Sequence, residues 1–136
     1  MDTLTPSERS VRMALIRSRD TKPEIAVRSL VHGMGYRYRL HGKDLPGSPD
    51  LIFKAKRKVI FVHGCFWHLH RNCSNCRPPK SRRDYWKPKL ERNAARDKQV
   101  RRRLRQLGWR CLVVWECELA NRVRLSGKVS DFLRKI

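Results

Sequence analysis

Residues 59–73, VIFVHGCFWHLHRNC, constrain this chain more than any other stretch. Val59-Ile-Phe-Val62 is a β-branched and aromatic run that reads as a buried strand. It leads directly into His63, Cys65, His68, His70 and Cys73, so a core strand must end at a knot of imidazoles and thiols. Cys65-x4-His70-x2-Cys73 supplies three soft or borderline ligands, and Cys117, just past another apolar run, can add a fourth from a strand end. A Cys₃His set suits tetrahedral Zn²⁺, and four filled positions make such an ion structural, with no place left for substrate. Cys73-Ser-Asn-Cys76 is itself a C-x-x-C pair, so a set using Cys76 competes. The five cysteines are odd in number and clustered with histidines, which favours metal ligation over a disulfide framework.

His63 and His68 are left outside the zinc set. A lone histidine is usually structural, but two beside a strand-end carboxylate suit proton transfer. That carboxylate is Asp50, preceded by Pro49 and followed by Leu51-Ile-Phe53. The linker Lys54–Lys58 makes residues 51–53 and 59–62 a hairpin, which carries Asp50 toward Val62 and His63. One carboxylate with backbone and water oxygens is enough for Mg²⁺, although a Pro-Asp pair alone reads by default as a turn. Glu24 lies three residues after Thr21 and reads first as the partner in a capping box.

The rest of the chain supplies helices and charge. A capping box at Thr5 and Glu8 opens a basic helix over about 6–18, and Thr21 opens a second with Val27, Leu30, Val31 and Met34 on one face. Tyr36–Arg39 alternates as a strand, and a long helix spans 81–107, with Pro88 expected to break or kink its first turns. Leu90, Ala94, Val100, Leu104 and Leu107 form its apolar stripe, on which Asp97 is an anomaly. Trp109–Trp115 is apolar enough to be a central strand buried on both faces, and a last helix covers about 126–135. This order gives an α/β domain, a mixed sheet flanked by helices, with residues 1–136 as one domain and 1–20 as a basic arm.

Charge then narrows the partner. Lys and Arg total 33 against 12 acidic residues, a net charge of +21, which points to a polyanion whose counterions are released on binding. No apolar run approaches the roughly 20 residues needed to cross a bilayer, and the first ten residues lack a signal-length apolar stretch. The expectation is a cell-interior nucleic-acid protein without a membrane role.

Several segments together resemble the very-short-patch repair (Vsr) endonucleases. They are IRSRDTKPE (16–24), LPGSPDLIF (45–53), VIFVHGCFWHLH (59–70), PKSRRDYWKPKLERNAARD (79–97) and LGWRCLVVWECEL (107–119). FVHGCFWH, the spacing of Asn93 and Asp97, and VVWECE are the most specific. The resemblance implies a restriction-endonuclease-like fold and a monomeric, Mg²⁺-dependent enzyme of the bacterial cytoplasm that nicks double-stranded DNA 5′ to the thymine of T:G mismatches. It implies Asp50 as the Mg²⁺-ligating carboxylate, with the main-chain carbonyl of Val62 sharing the ion. His68 would be the general base, His63 would assist it, and Glu24 would hold metal-bound waters. Cys65, His70, Cys73 and Cys117 would hold the structural Zn²⁺, which leaves Cys76 a bystander.

The same resemblance makes Phe66, Trp67 and Trp86 an aromatic wedge, places Met13 on the minor-groove side, and sets Lys89 and Asn93 near the mismatched pair. Mismatch-repair proteins and a cytosine methyltransferase would be functional associates. The chain departs from the wider fold in having Phe61-Val-His63 where an acidic-x-Lys motif is common, and Val62 where relatives often carry a hydroxyl. Two other readings compete: a zinc-stabilised DNA-binding protein without cleavage, and a restriction or homing nuclease that acts on matched DNA.

Overall fold

The structure is a computed structural model that describes residues 20–40, 42–70, 73 and 83–135. The expected first helix, Met13 and Cys76 lie outside the described residues.

Helix α1, Lys22–Gly33, begins where expected, with the Thr21 side chain accepting the Glu24 N–H. It ends in a Schellman arrangement: Gly35, at φ +90°, donates to the His32 carbonyl and Tyr36 donates to Val31. Strand β1 is only Arg39–Leu40, shorter than and displaced from the expected Tyr36–Arg39, and both of its residues are exposed. β2, Leu51–Phe53, and β3, Lys58–His63, are buried throughout and pair antiparallel with Leu51 opposite Ile60. A 3₁₀ turn over Lys54–Lys56 joins them, with Arg57 at φ +53°. α2, Arg83–Gln106, passes through Pro88 without ending. Proline forfeits one bond so near the N-terminus, to the carbonyl of residue 84, and the remaining turns carry the helix past it.

β4, Arg110–Trp115, runs parallel to β3, and the sheet order is β1-β2-β3-β4. The expected central position is therefore corrected: among the described residues β4 is an edge strand, and β3 holds the buried centre. An apolar edge strand is an aggregation hazard unless its outward backbone groups are occupied. Here Lys128 Nζ donates to the Val113 carbonyl at 3.2 Å, and the Trp115 N–H donates to Glu118 Oε1 at 3.0 Å. Lys128 and Glu118 are themselves paired at 2.8 and 2.9 Å, so one ion pair stands in for a missing neighbour strand.

A 3₁₀ segment, Glu116–Ala120, leads into α3, Arg122–Arg134. This helix starts about a turn before the expected residue 126, because the Asn121 side chain caps it by accepting the Arg124 N–H at 3.1 Å. At its other end the buried Lys58 donates to the carbonyls of Phe132, Leu133 and Lys135, a cation on the negative end of the helix.

Alternation divides the core. Leu51, Phe53, Ile60, Val62 and Val114 face α1 and α3, meeting Val27, Val31, Leu125, Val129 and Leu133. Ile52, Val59 and Phe61 face the other way onto Leu104 of α2. Gly47, at φ +75°, seats the 42–49 loop on α2, since a Cβ there would lie 2.4 Å from Val100. Helices thus cover both faces, and the carboxyl ends of β3 and β4 are left to build the site.

Candidate active site

β3 ends in His63, and the chain then coils through Gly64–His70 in a tight turn. His68 N–H donates to the Gly64 carbonyl at 3.2 Å and His70 N–H to that of Cys65 at 3.0 Å, with Leu69 at φ +51°. This folds His68 back over His63 so that the rings stack, 3.8 Å between centroids and 5° apart. Asp97 arrives from α2 and places Oδ2 2.6 Å from His68 Nδ1. A neutral His68 therefore donates Nδ1–H to Asp97 and keeps Nε2 as its basic nitrogen. His63 is only 5% exposed. Burial, with the His68 ring alongside, pushes its pKa down to about 3, so it stays neutral against its partner.

The anomaly on the apolar stripe of α2 is thereby explained. Asp97 is part of this cluster, a role that the resemblance leaves unassigned and that its polar identity on a core face signals.

The hairpin does bring Asp50 to the end of β3: its Oδ2 accepts the Val62 N–H at 2.6 Å. A cleft of about 830 Å³ opens beside this end, with Val62, Gly64, His68, Glu24, Asp97 and Glu116 among its walls. Glu24 is both cap and wall. Its Oε2 accepts the Asp20 N–H at 2.8 Å and Arg28 Nη2 at 3.3 Å, and Arg28 also reaches Asp20 at 2.8 Å. Arg28 has no signal in the sequence beyond lying one turn after Glu24.

On the far side of the turn, Cys65, His70, Cys73 and Cys117 converge, with their ligand atoms all within 4.8 Å of one another. Cys117 Sγ lies 3.5 Å from His70 Nδ1. Ligands at about 2.0–2.3 Å from a tetrahedral Zn²⁺ sit at comparable separations, so the donor set and its geometry fit that ion. The His70 ring is held by stacking on Trp115, 4.0 Å between centroids and 7° apart. Burial pushes the Cys65 thiol up to about 12 and raises Cys117 as well. A bound cation would draw the protons from these thiols, which is how metal binding couples to proton release.

Phe66 and Trp67 give the cleft an aromatic wall, and Trp86 packs against both from outside its lining. Phe66, Trp67 and Trp86 meet edge to face, with centroids 4.9 to 5.7 Å apart. Lys89 lies 5.7 Å from the centroids of both Trp86 and Tyr85, and Asn93 Nδ2 donates to the Trp67 carbonyl at 3.3 Å. Tyr85, 56% exposed, extends the patch; sequence reasoning misses it because nothing in its spacing separates it from a solvated helix position.

Residues 1–75 match the family model described as DNA mismatch endonuclease Vsr. The chain belongs to the Vsr family. It is 52% identical over 132 residues to the type II nicking enzyme V.XorIIP of Xanthomonas oryzae pv. oryzae, covering 97% of this chain and 96% of that one. It is 42% identical over 127 residues to the DNA mismatch endonuclease Vsr of Escherichia coli K12, covering 93% and 81%. Among solved structures, the catalytic domain of the homing endonuclease I-Bth0305I superposes with a TM-score of 0.59 at 20% identity, over 83% of this chain and 94% of that chain, a likeness of fold. As a Vsr-family member the chain is an endonuclease, and its mixed sheet flanked by helices is that of a homing or restriction nuclease.

Proposed function

We propose that this Vsr-family chain nicks one strand of duplex DNA 5′ to the thymine of a T:G mismatch, beginning very short patch repair of deaminated 5-methylcytosine. The observation that carries this reading is one cleft lined by a His68–Asp97 pair, with a neutral His63 stacked behind His68, and by Phe66 and Trp67, with Trp86 packed behind them. The first is equipment for proton transfer and the second for entering a base stack.

Asp50 and the Val62 carbonyl would hold Mg²⁺, and their hard oxygens suit it, with the Val62 N–H fixing the carboxylate. When bound, the ion neutralises charge developing on the phosphate and leaving oxygen. His68 Nε2 takes the proton from the attacking water, Asp97 steadies the imidazolium that results, and His63 packs against it without competing for the proton. Glu24, tethered by Arg28, offers its second oxygen to waters in the cleft. Cys65, His70, Cys73 and Cys117 would hold Zn²⁺, tying the far side of the same turn to the end of β4.

Phe66, Trp67 and Trp86 enter the stack beside the mismatch, assisted by Met13, Lys89 and Asn93. A T:G wobble costs less to unstack than a matched pair, so a wedge discriminates through deformation energy. The net charge of +21 supplies grip and salt sensitivity without choosing sequence. On this reading residues 1–136 act as a single domain and a monomer in the cytoplasm, with repair proteins and a cytosine methyltransferase as associates. Among the described residues no helix is long and apolar enough to cross a membrane.

The test is an end-labelled duplex with a central T:G pair, incubated with Mg²⁺ or with EDTA. One nick immediately 5′ to the thymine, in Mg²⁺ only, is expected. Cuts in both strands, or none, would reject the proposal.

A further inference from the structure

We infer that Glu116 is a positioning residue, a carboxylate strap that holds the His68 turn in register with the metal-binding segment. Glu116 begins the 3₁₀ segment after β4, one residue before Cys117. Its Oε1 accepts the Cys65 N–H at 2.9 Å. The turn Gly64–His70 has the form of a helix start, whose first N–H groups lack partners of their own, and Glu116 supplies one to the first of them.

Two neighbouring residues of one segment therefore grip the same residue of the turn. Cys117 shares the ligand cluster with the Cys65 side chain, and Glu116 holds the Cys65 backbone. The three residues after Cys65 are the equipment of the cleft: Phe66 and Trp67 of the aromatic triad, then His68. The ligand cluster ties the two ends of the turn through the Cys65 and His70 side chains and leaves the peptide planes between them to be set by backbone contacts. The Glu116 grip fixes the first of those peptides, and with it the angle at which His68 meets Asp97. Glu116 also lines the cleft, so its charge has a competing use as a direct contact to substrate or cation.

The strap rests on the proposed role of His68, and the test separates the two. Glu116→Gln keeps an oxygen acceptor without the charge, Glu116→Ala removes both, and Glu116→Asp withdraws the acceptor by one methylene. Each protein, loaded with zinc, is assayed for kcat and KM on the T:G duplex and, without DNA, for the rate of zinc transfer to a chromogenic chelator. A lost hydrogen bond to a charged acceptor predicts a kcat loss of about 10- to 150-fold for Ala, with KM within about twofold and faster zinc transfer. Gln should recover both readouts to within about threefold of wild type, and Asp should resemble Ala. If Ala does not fold, the Gln and Asp pair decides alone. Gln as impaired as Ala in kcat would overturn the strap and assign the charge itself to the cleft, and an unimpaired Ala would overturn both. If the wild type nicks nothing, the proposed function fails, while the chelator arm still judges the strap.

Discussion

Removing Asp97 tests whether the pair with His68 works as a unit. The 2.6 Å contact has the length of a charge-assisted hydrogen bond, and the two side chains are 27% and 20% exposed. Such a bond contributes about 1.5–3 kcal/mol, and partial exposure argues for the lower half of that range. Taking about 2 kcal/mol, Asp97→Ala should lower kcat about 30-fold at 25 °C. Losing the base itself in His68→Ala should cost about 10² to 10⁴. Because Asp97 acts only through His68, the double variant should be no slower than His68→Ala alone. Single-turnover nicking of a saturating T:G duplex by all four proteins makes a closed cycle. A further 30-fold loss in the double variant would refute the pairing, as would an effect of Asp97→Ala confined to KM.

Asp50→Ala should abolish nicking while leaving duplex affinity within about threefold, since one carboxylate adds little to a salt-dominated interface; retained cleavage would overturn the Mg²⁺ assignment. Freshly purified protein should carry close to one zinc per chain by elemental analysis, and Cys117→Ser should lower both zinc content and Tm, whereas an unchanged Tm would reject a structural ion. His63 ordinarily titrates near 6.5 but is pushed down to about 3 by burial, so the unfolded chain takes a proton that the native chain refuses. Its contribution to stability is complete above pH 6.5 and is lost as pH falls toward 3. Tm of His63→Phe should therefore fall less steeply than wild type across that window, and parallel curves would contradict the burial of a neutral imidazole.

Local devices are legible in the sequence, and relations between distant residues are not. Thr21 caps α1 as its spacing requires, although the Glu24 carboxylate turns to the Asp20 N–H and not to that of Thr21, and the linker after Phe53 produces the hairpin that carries Asp50 to Val62. The four residues of the candidate zinc cluster, Cys65, His70, Cys73 and Cys117, meet because the two strands that lead to them are paired in parallel. β4 departs from its expected place for a physical reason. Its apolar run matches a doubly buried strand, but the surrogate neighbour that quiets its edge is an ion pair between Glu118 and Lys128, which composition cannot distinguish from solvated charge. Asn121 gives no clear sign of being a cap because the helix behind it, rich in Arg and Ser, has little apolar periodicity in its first turn. Asp97 is visible as a misfit and by its spacing from Asn93, Glu116 only as part of VVWECE with no role attached, and Arg28 only by its place one turn after Glu24. Their meaning lies in partners that only folding supplies.

On the proposed reading, the aromatic triad is what lets the cleft read mismatches. Unstacking costs a few kcal/mol per step and less at a mispair, so a difference of about 1–3 kcal/mol between T:G and T:A corresponds to a preference of about 5- to 150-fold. The direct measurement is the ratio of single-turnover nicking rates on duplexes identical except for a central T:G or T:A pair, for wild type and Trp67→Ala. Wild type should show a ratio in that range, and the variant a ratio fallen severalfold toward one. Equal rates on the two duplexes, or a preference that Trp67→Ala leaves intact, would contradict mismatch reading by the wedge.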